Sequence, residues 1–360
     1  MRRGTSKPGR RKRDAVKTSR PPSLAARSSH LPCKPALVLL SAALWLVLSR
    51  AGLAQTAPGV GYVYPPSAKA GTTIDVTLGG YDWTPDLQFF LHDERINLEI
   101  LGPPGEIIVA PPPYWFGPKA RGNAFPMPRE IPARITVPAD LPPGPRRWQV
   151  ANANGASTTG IFYVGTGEQL NESRQRGRPQ SIETLPIAVC GRIGRIEEVD
   201  RYLVRAEKSG PISCELFARR LGSLLNGMLQ VHDASGRLLA DVADTEGTDT
   251  ALTFSAEAGR EYAVSVFDLD FRGDRAFVYR LEIRAGPRVV ATIPAAGRRG
   301  TSGPVEFLGY GISAGTSRLE SVTRDVQFPE DPLADEFLYP LETADGRGVS
   351  VRIPLSDVPE

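Results

Sequence analysis

Residues 279–284 read YRLEIR. Tyr279, Leu281 and Ile283 alternate with Arg280, Glu282 and Arg284, the period of two that marks a strand with one apolar, core-facing side. The charged side reads as the solvent face of an antiparallel sheet. Just upstream, residues 261–268 (EYAVSVFD) form a similar run, and they are expected to pair with residues 277–284 as a hairpin. Earlier still, residues 229–232 (LQVH) and 237–240 (RLLA) flank the turn Asp233-Ala234-Ser235-Gly236, a second hairpin signal. Tyr202, Val204 and Ala206 alternate with Leu203 and Arg205.

The same grammar fills the preceding hundred or so residues. Residues 73–78 (TIDVTL) alternate and stop at Gly79-Gly80. Short runs follow at 87–91, 96–101, 107–110, 131–137, 148–151 and 161–164, each bounded by Pro, Gly or Asn. Residues 111–132 are rich in Pro and Gly and read as a long loop. With 36 Gly and 33 Pro in 360 residues, turns are frequent and long helices are disfavoured. The fold class expected is all-β, a tandem of β-sandwiches.

From residue 287 the pattern of the first series returns. Pro65, Gly71, Val76, Gly80 and Tyr81 match Pro294, Gly300, Val305, Gly309 and Tyr310 at one constant offset, an internal repeat. Later, Val351-Arg352-Ile353-Pro354 matches Ile135-Thr136-Val137-Pro138. The first series continues beyond that point through two more apolar runs, whereas the repeat ends at Glu360. The repeat is therefore expected to be an incomplete domain, with a core of Val305, Phe307 and Ile353 partly open on one side.

Charge is distributed unevenly. Residues 1–54 hold twelve Lys and Arg against the single acid Asp14, so this leader is net +11 and the rest of the chain net −8 within a total of +3. An acidic body lacks the positive footprint of a nucleic-acid binder. Residues 36–48 (ALVLLSAALWLVL) are apolar but shorter than a membrane-spanning helix, and Gly52 and Ala54 sit three and one before Gln55. Basic region, short apolar region and small residues together read as a secretory signal peptide cleaved near Ala54–Gln55, leaving no stable membrane span. The expected layout is a signal peptide (1–54), an immunoglobulin-like sandwich (55–165), a polar linker (166–181), a second sandwich (182–285) and the incomplete repeat (286–360). The linker carries Asn171-Glu172-Ser173, a glycosylation sequon.

Two resemblances follow from particular residues. Gly191-Arg192-Ile193, then Glu198-Val199-Asp200-Arg201-Tyr202, then residues 218–223 (ARRLGS), the hairpin 231–240, residues 262–266 and Tyr279-Arg280-Leu281 run in the order of the bacterial pre-peptidase C-terminal domain. The second series resembles that family over roughly residues 185–285. The resemblance implies a small jelly-roll-like sandwich, an accessory module of exported proteins that is often attached to peptidases. The first and third series resemble immunoglobulin-like domains of the IPT/TIG type, through the Gly-Thr pairs at 71–72 and 300–301 and through Val150-x-Asn152-x-x-Gly155-x-Ser157.

Candidate chemistry is sparse. Residues 311–315 (GISAG) fit a nucleophile elbow around Ser313, but the helix such an elbow needs does not follow, and the last histidine of the chain is His232. His92 and His232 each precede an Asp at the end of an apolar run and read as strand-end surface residues. Arg219-Arg220 reads as a strand-end pair. No zinc or nucleotide motif occurs, so no catalytic or cofactor residues are assigned. Calcium is the one metal that suits the acidic loops, whose candidate ligands are Asp268, Asp270 and Asp274 in one and Asp241, Asp244 and Asp249 in the other. Export permits a disulfide, and Cys190 and Cys214 are the pair left once Cys33 departs with the leader. A bridge would stabilise by about 3.5 kcal/mol. Against it, Cys214 shares a face with Ile212 and Leu216, while Cys190 alternates away from Ile187 and Val189.

These features imply an exported, non-catalytic binding or accessory protein of the cell envelope, periplasm or secreted space, with an extracellular protein or polysaccharide as partner. The alternative is the accessory region of a secreted hydrolase, a peptidase by the resemblance, whose catalytic domain lies outside these residues.

Overall fold

The computed structural model describes residues 56–109, 127–173, 175, 177–343, 346 and 348–358. The expected signal peptide and most of the long loop expected over 111–132 lie outside the described residues. Those described build three β-sandwiches in series, with no α-helix among them. None of their elements is a helix long and apolar enough to cross a membrane.

The first sandwich holds β1 (Gly59–Tyr64), β2 (Ser67–Lys69), β3 (Thr73–Tyr81), β4 (Gln88–Leu91), β5 (Asn97–Ile100), β6 (Arg129–Thr136), β7 (Gly144–Asn152), β8 (Gly155–Ala156) and β9 (Gly160–Gly165). Its sheets run β1-β3-β6-β5 and β2-β9-β7-β4, with β8 paired to β7. The alternation in β3 is realised: Val76 and Leu78 are buried, Asp75 and Thr73 exposed. Trp148 and Phe162 fill the space between the sheets, each worth about 2–3 kcal/mol of burial. The run expected as a strand at 107–110 is not one over its described residues; the Ile108 N–H donates to the Pro128 carbonyl, a single loop contact.

The second sandwich holds β10 (Glu168–Asn171), β11 (Gln180–Ile182), β12 (Ile187–Arg192), β13 (Val199–Arg205), β14 (Gly210–Phe217), β15 (Gly227–Asp233), β16 (Leu238–Ala243), β17 (Thr250–Ala256), β18 (Glu261–Asp268) and β19 (Val278–Ala285). Its sheets are β10-β12-β19-β14-β17 and β11-β13-β18-β15-β16. Two expectations are corrected here. The segment expected as a linker supplies β10 and β11, which pair in parallel with β12 and β13 and so sit one in each sheet. A polar composition hid them because both are edge strands, stabilised by backbone pairing more than by buried side chains. The expected hairpin of 261–268 with 277–284 does not form: β18 lies between β13 and β15, and β19 between β12 and β14 in the opposite sheet. The loop between them crosses the sandwich, anchored by the buried Asp268.

The third sandwich holds β20 (Arg288–Ile293), β21 (Gly297–Arg298), β22 (Ser302–Tyr310), β23 (Leu319–Gln327), β24 (Glu336–Glu342) and β25 (Gly348–Ser356), in sheets β20-β22-β23 and β21-β25-β24. Its opening copies that of the first sandwich. β1 and β20 carry bulges at Val60/Tyr62 and Val289/Ala291, Gly71 and Gly300 take positive φ, and the Tyr64-Pro65 and Ile293-Pro294 bonds are cis. Gly309, like Gly80 of the repeat, is required by closeness: a Cβ would lie 2.2 Å from the Arg288 carbonyl oxygen, as one on Gly80 would lie 2.4 Å from that of Gly59.

The later part departs from the repeat. Residues 351–354 match part of β6 and the residues after it in sequence, yet they lie in β25, in the sheet opposite β22, parallel to β21 as β9 is to β2. β23 takes the place beside β22 instead. Glu320 fixes that turn by accepting the N–H groups of Ser313, Ala314 and Thr316, so β23 folds back at once on β22. The expected open core is also corrected. Val305, Phe307 and Ile353 are fully buried among Val326, Phe328 and Leu341.

Candidate functional site

The charged side of β19 was read as a solvent face, and this is the main correction to the sequence reading. Arg280 is 3% and Glu282 7% exposed. Arg280 is covered because the first sandwich docks on this face of the second, whereas Glu282 is held between Arg280 and Arg284. The Arg280 guanidinium lies over the Tyr163 ring at 4.7 Å and near the Phe217 ring at 5.6 Å, donates from Nε to Ser67 Oγ at 3.2 Å, and pairs through Nη1 with Glu282. Burial pulls its pKa below the ordinary arginine value. Ser67 Oγ also donates to Gln169 Oε1 at 2.7 Å and lies 3.1 Å from Cys190 Sγ, while Gln169 Nε2 donates to the Ser67 carbonyl. Strand β2 is thereby tied to β10 and β12.

A second knot lies at the other end of the seam. Tyr62 and Tyr64 of β1 pack on Ala276 and Val278. Glu130 of β6 accepts the Tyr62 hydroxyl, and Arg275 of the second sandwich donates to both its oxygens. Arg192 reaches the same carboxylate at 3.8 Å and stacks over Tyr64 at 4.5 Å. Desolvation and the neighbouring Glu130 raise the Tyr62 pKa.

The third part is a chain of acids and phenols. The Tyr64 hydroxyl donates to Glu172 at 3.1 Å, and the Arg192 N–H donates to its other oxygen at 2.9 Å. Glu172 adjoins Asp200, which accepts the Tyr279 hydroxyl at 2.6 Å; the Tyr202 and Tyr279 hydroxyls are 2.5 Å apart. Burial, with the Glu172 charge second, pushes Asp200 up to about 8, and burial raises Glu172 as well. At neutral pH this carboxyl pair holds a proton. Glu172 is the central residue of the sequon; the preceding Asn171 is exposed in β10.

Of the residues considered from the sequence for a disulfide or as nucleophile or base, only Cys190 lies at this seam. The proposed bridge is absent: Cys190 and Cys214 are both free and buried. They sit on β12 and β14 with β19 between them, Cys190 opposite Arg280 and Cys214 opposite Ile283. Neighbouring strands lie about 4.8 Å apart, so two spacings exceed the reach of a disulfide. Desolvation pushes the Cys214 thiol up to about 12.

The calcium candidates do not converge, and no group of three or more His, Cys, Asp or Glu able to hold a metal forms among the described residues. Asp268 is saturated by the N–H groups of Asn226, Asp270 and Arg272 and by the Arg272 guanidinium. Asp249 accepts the N–H groups of Ala218, Arg219 and Arg220 and the Arg220 side chain, which turns the Arg219-Arg220 pair into a loop anchor. Asp274 accepts the Ala276 N–H; Asp270 lies at the surface beside Arg272. Asp241 pairs with Gln230 in the β15–β16 hairpin, and Asp244 takes a positive φ just beyond it.

Ser313 lies in an exposed turn leading into strand β23. His92 Nε2 is 2.8 Å from Gln149 Oε1. Beside His232, Asp233 is held near 2 by the Ser235 hydroxyl and the Arg237 and Ser235 N–H groups, so its oxygens serve the hairpin turn.

No family model matches the sequence, and no curated protein matches it. Among solved structures the chain is similar to the pre-peptidase C-terminal domain of collagenase from Bacillus anthracis, at 17% identity over 31% of this chain and 100% of that one, with a TM-score of 0.25. It is similar to the secreted serine protease VesC from Vibrio cholerae at 8% identity, covering 61% of this chain and 48% of that one, about half its length, with a TM-score of 0.20. A third likeness is to the Bacteroides ovatus mixed-linkage glucan utilization locus protein SGBP-B, solved in complex with a mixed-linkage heptasaccharide, at 9% identity over 61% and 72% of the two chains and a TM-score of 0.18.

Proposed function

We propose that this chain is an exported, non-catalytic binding or accessory protein that works outside the cytoplasm. The observation that carries the reading is the use made of its ionisable groups. Glu130, Glu172, Asp200, Arg275 and Arg280 each engage protein partners at the seam, so this concentration of charge fixes one sandwich against the next. Preformed contacts of this kind keep the first two sandwiches in a set relation, and strand faces, edges and loops are left for a partner. Asp249, Asp268 and Asp233 are likewise engaged in holding loops. The net −8 of the body supports a protein or polysaccharide partner over nucleic acid.

The purified chain should be incubated with peptide, ester and glycoside substrates and assayed for binding to extracellular proteins and polysaccharides. The expected result is no turnover. Hydrolysis that is lost in Ser313→Ala would overturn the reading.

A further inference from the structure

A slot of about 540 Å³ lies between the second and third sandwiches. Its two walls are residues 288–292 of β20 and residues 349–352 of β25. Successive residues of a strand point to opposite faces, so a cavity that meets every residue of a run borders the edge of that strand. Among the described residues both edges are unpaired there, and β20 is bonded to β22 alone. β25 is bonded to β24, and β21 reaches it only at Leu355 and Ser356. The second sandwich supplies the floor through Ser213, Glu215, Glu282 and Arg284.

The repeat shows what is unusual here. In the first sandwich, Tyr62 and Tyr64 of β1 are packed on Ala276 and Val278. The offset that relates the repeats puts Ala291 and Ile293 of β20 at these positions. Ile293 is 56% and Val290 38% exposed, and residues 289–293 (VVATI) carry no charge. An uncharged β-branched edge with free N–H and C=O groups is a template for another strand.

We propose that this slot is the docking site for an extended peptide segment of a partner protein, which adds as a strand to the free edge of β25 with its other edge toward β20. Main-chain hydrogen bonds to the residues of 349–352 whose polar groups point away from β24 supply affinity, and alternate side chains supply specificity. Those turned toward the second sandwich meet Glu215, Glu282 and Arg284; those turned the other way meet the third sandwich. The slot therefore fits a segment that alternates charged and apolar residues. The proposal rests on the binding reading above. Turnover would overturn that reading, whereas the experiment below can sink the slot and leave it standing.

The test is amide hydrogen exchange on the purified chain with two blocked octapeptides, one alternating valine with lysine and one valine with glutamate. Each is paired with a control of the same side chains, N-methylated at every residue, so that neither edge can donate to a strand. At saturation one unmethylated peptide is expected to slow exchange by about tenfold or more at those N–H groups of residues 349–352 that point away from β24, while its methylated control does not. Ser350→Pro, at an exposed position of this edge, is expected to lose the effect. The proposal is overturned by no protection from either peptide, by equal protection from the methylated controls, or by protection of the edge-facing amides in the free chain. Protection that grows with protein concentration together with a dimer also overturns it, because the occupant is then a second copy.

Discussion

Arg275 holds Glu130 with two parallel hydrogen bonds across the seam, Nε to Oε1 at 2.8 Å and Nη2 to Oε2 at 2.6 Å. The geometry is the fork-to-fork pairing that makes arginine–carboxylate contacts directional. It joins β6 of the first sandwich to the loop before β19 of the second.

The two partners are not equivalent. Glu130 also receives the buried Tyr62 hydroxyl and faces the nearly buried Arg192, whereas the Arg275 side chain is 42% exposed. Glu130→Ala strands three donors and is expected to cost about 2 kcal/mol. Arg275→Ala should cost about 1 kcal/mol or less, since water screens that side of the pair. Thermal unfolding of both variants checks the order; equal losses would count against it.

Stability should depend on pH through Asp200. Its folded pKa, about 8, lies above the ordinary carboxylate value, so the folded state keeps a proton that the unfolded chain releases. The contribution is fully present below about pH 4 and is lost as pH rises toward 8, at up to about 1.4 kcal/mol per unit. Melting temperature is expected to fall between pH 5 and 8 in the native chain, an assay range chosen inside that window. Asp200→Asn, neutral throughout, should flatten the slope, and a slope unchanged in that variant rules out this origin.

Asp268 should matter as an anchor. Three backbone N–H groups and Arg272 converge on a carboxylate that is 1% exposed. Asp268→Ala is expected to cost about 3 kcal/mol by leaving buried donors unpaired. Asp270→Ala, at a side chain 58% exposed, should cost less than about 0.5 kcal/mol. Denaturant titration of the two variants distinguishes anchoring from a general effect of removing acid from this loop.

Cys190 and Cys214 should stay unreactive in the native state. Both thiols are buried and unbridged. A thiol reagent is expected to label them only after denaturation, and reducing agent should leave the melting temperature unchanged. A drop in melting temperature on reduction would reveal a bridge.

The part of this protein legible in its sequence was local and periodic. Alternation placed β3, β15, β16, β18 and β19, Gly and Pro marked their ends, and the constant offset announced that β1–β3 and β20–β22 share one design. Those features depend on backbone geometry within a few residues, and the all-β sandwich class follows from them. Pairing partners were less legible. β18 and β19 look like a hairpin, yet lie in opposite sheets, and residues 351–354 look like part of β6, yet stand in the position of β9. Period-2 patterning fixes which side of a strand is apolar but not which strand lies beside it.

The seam was invisible for a related reason. In residues 279–284 the order of residues determined a strand with Tyr279, Leu281 and Ile283 inward, and the structure keeps all three fully buried. Arg280 and Glu282 carry the same sequence signature whether they meet water or another domain. For Arg280 the docking of the first sandwich decided the matter, because a buried arginine is tolerated when its surroundings supply an acceptor, a carboxylate and aromatic faces. Ser67, Glu282, Tyr163 and Phe217 supply them for Arg280, and in sequence Ser67 lies 213 residues away.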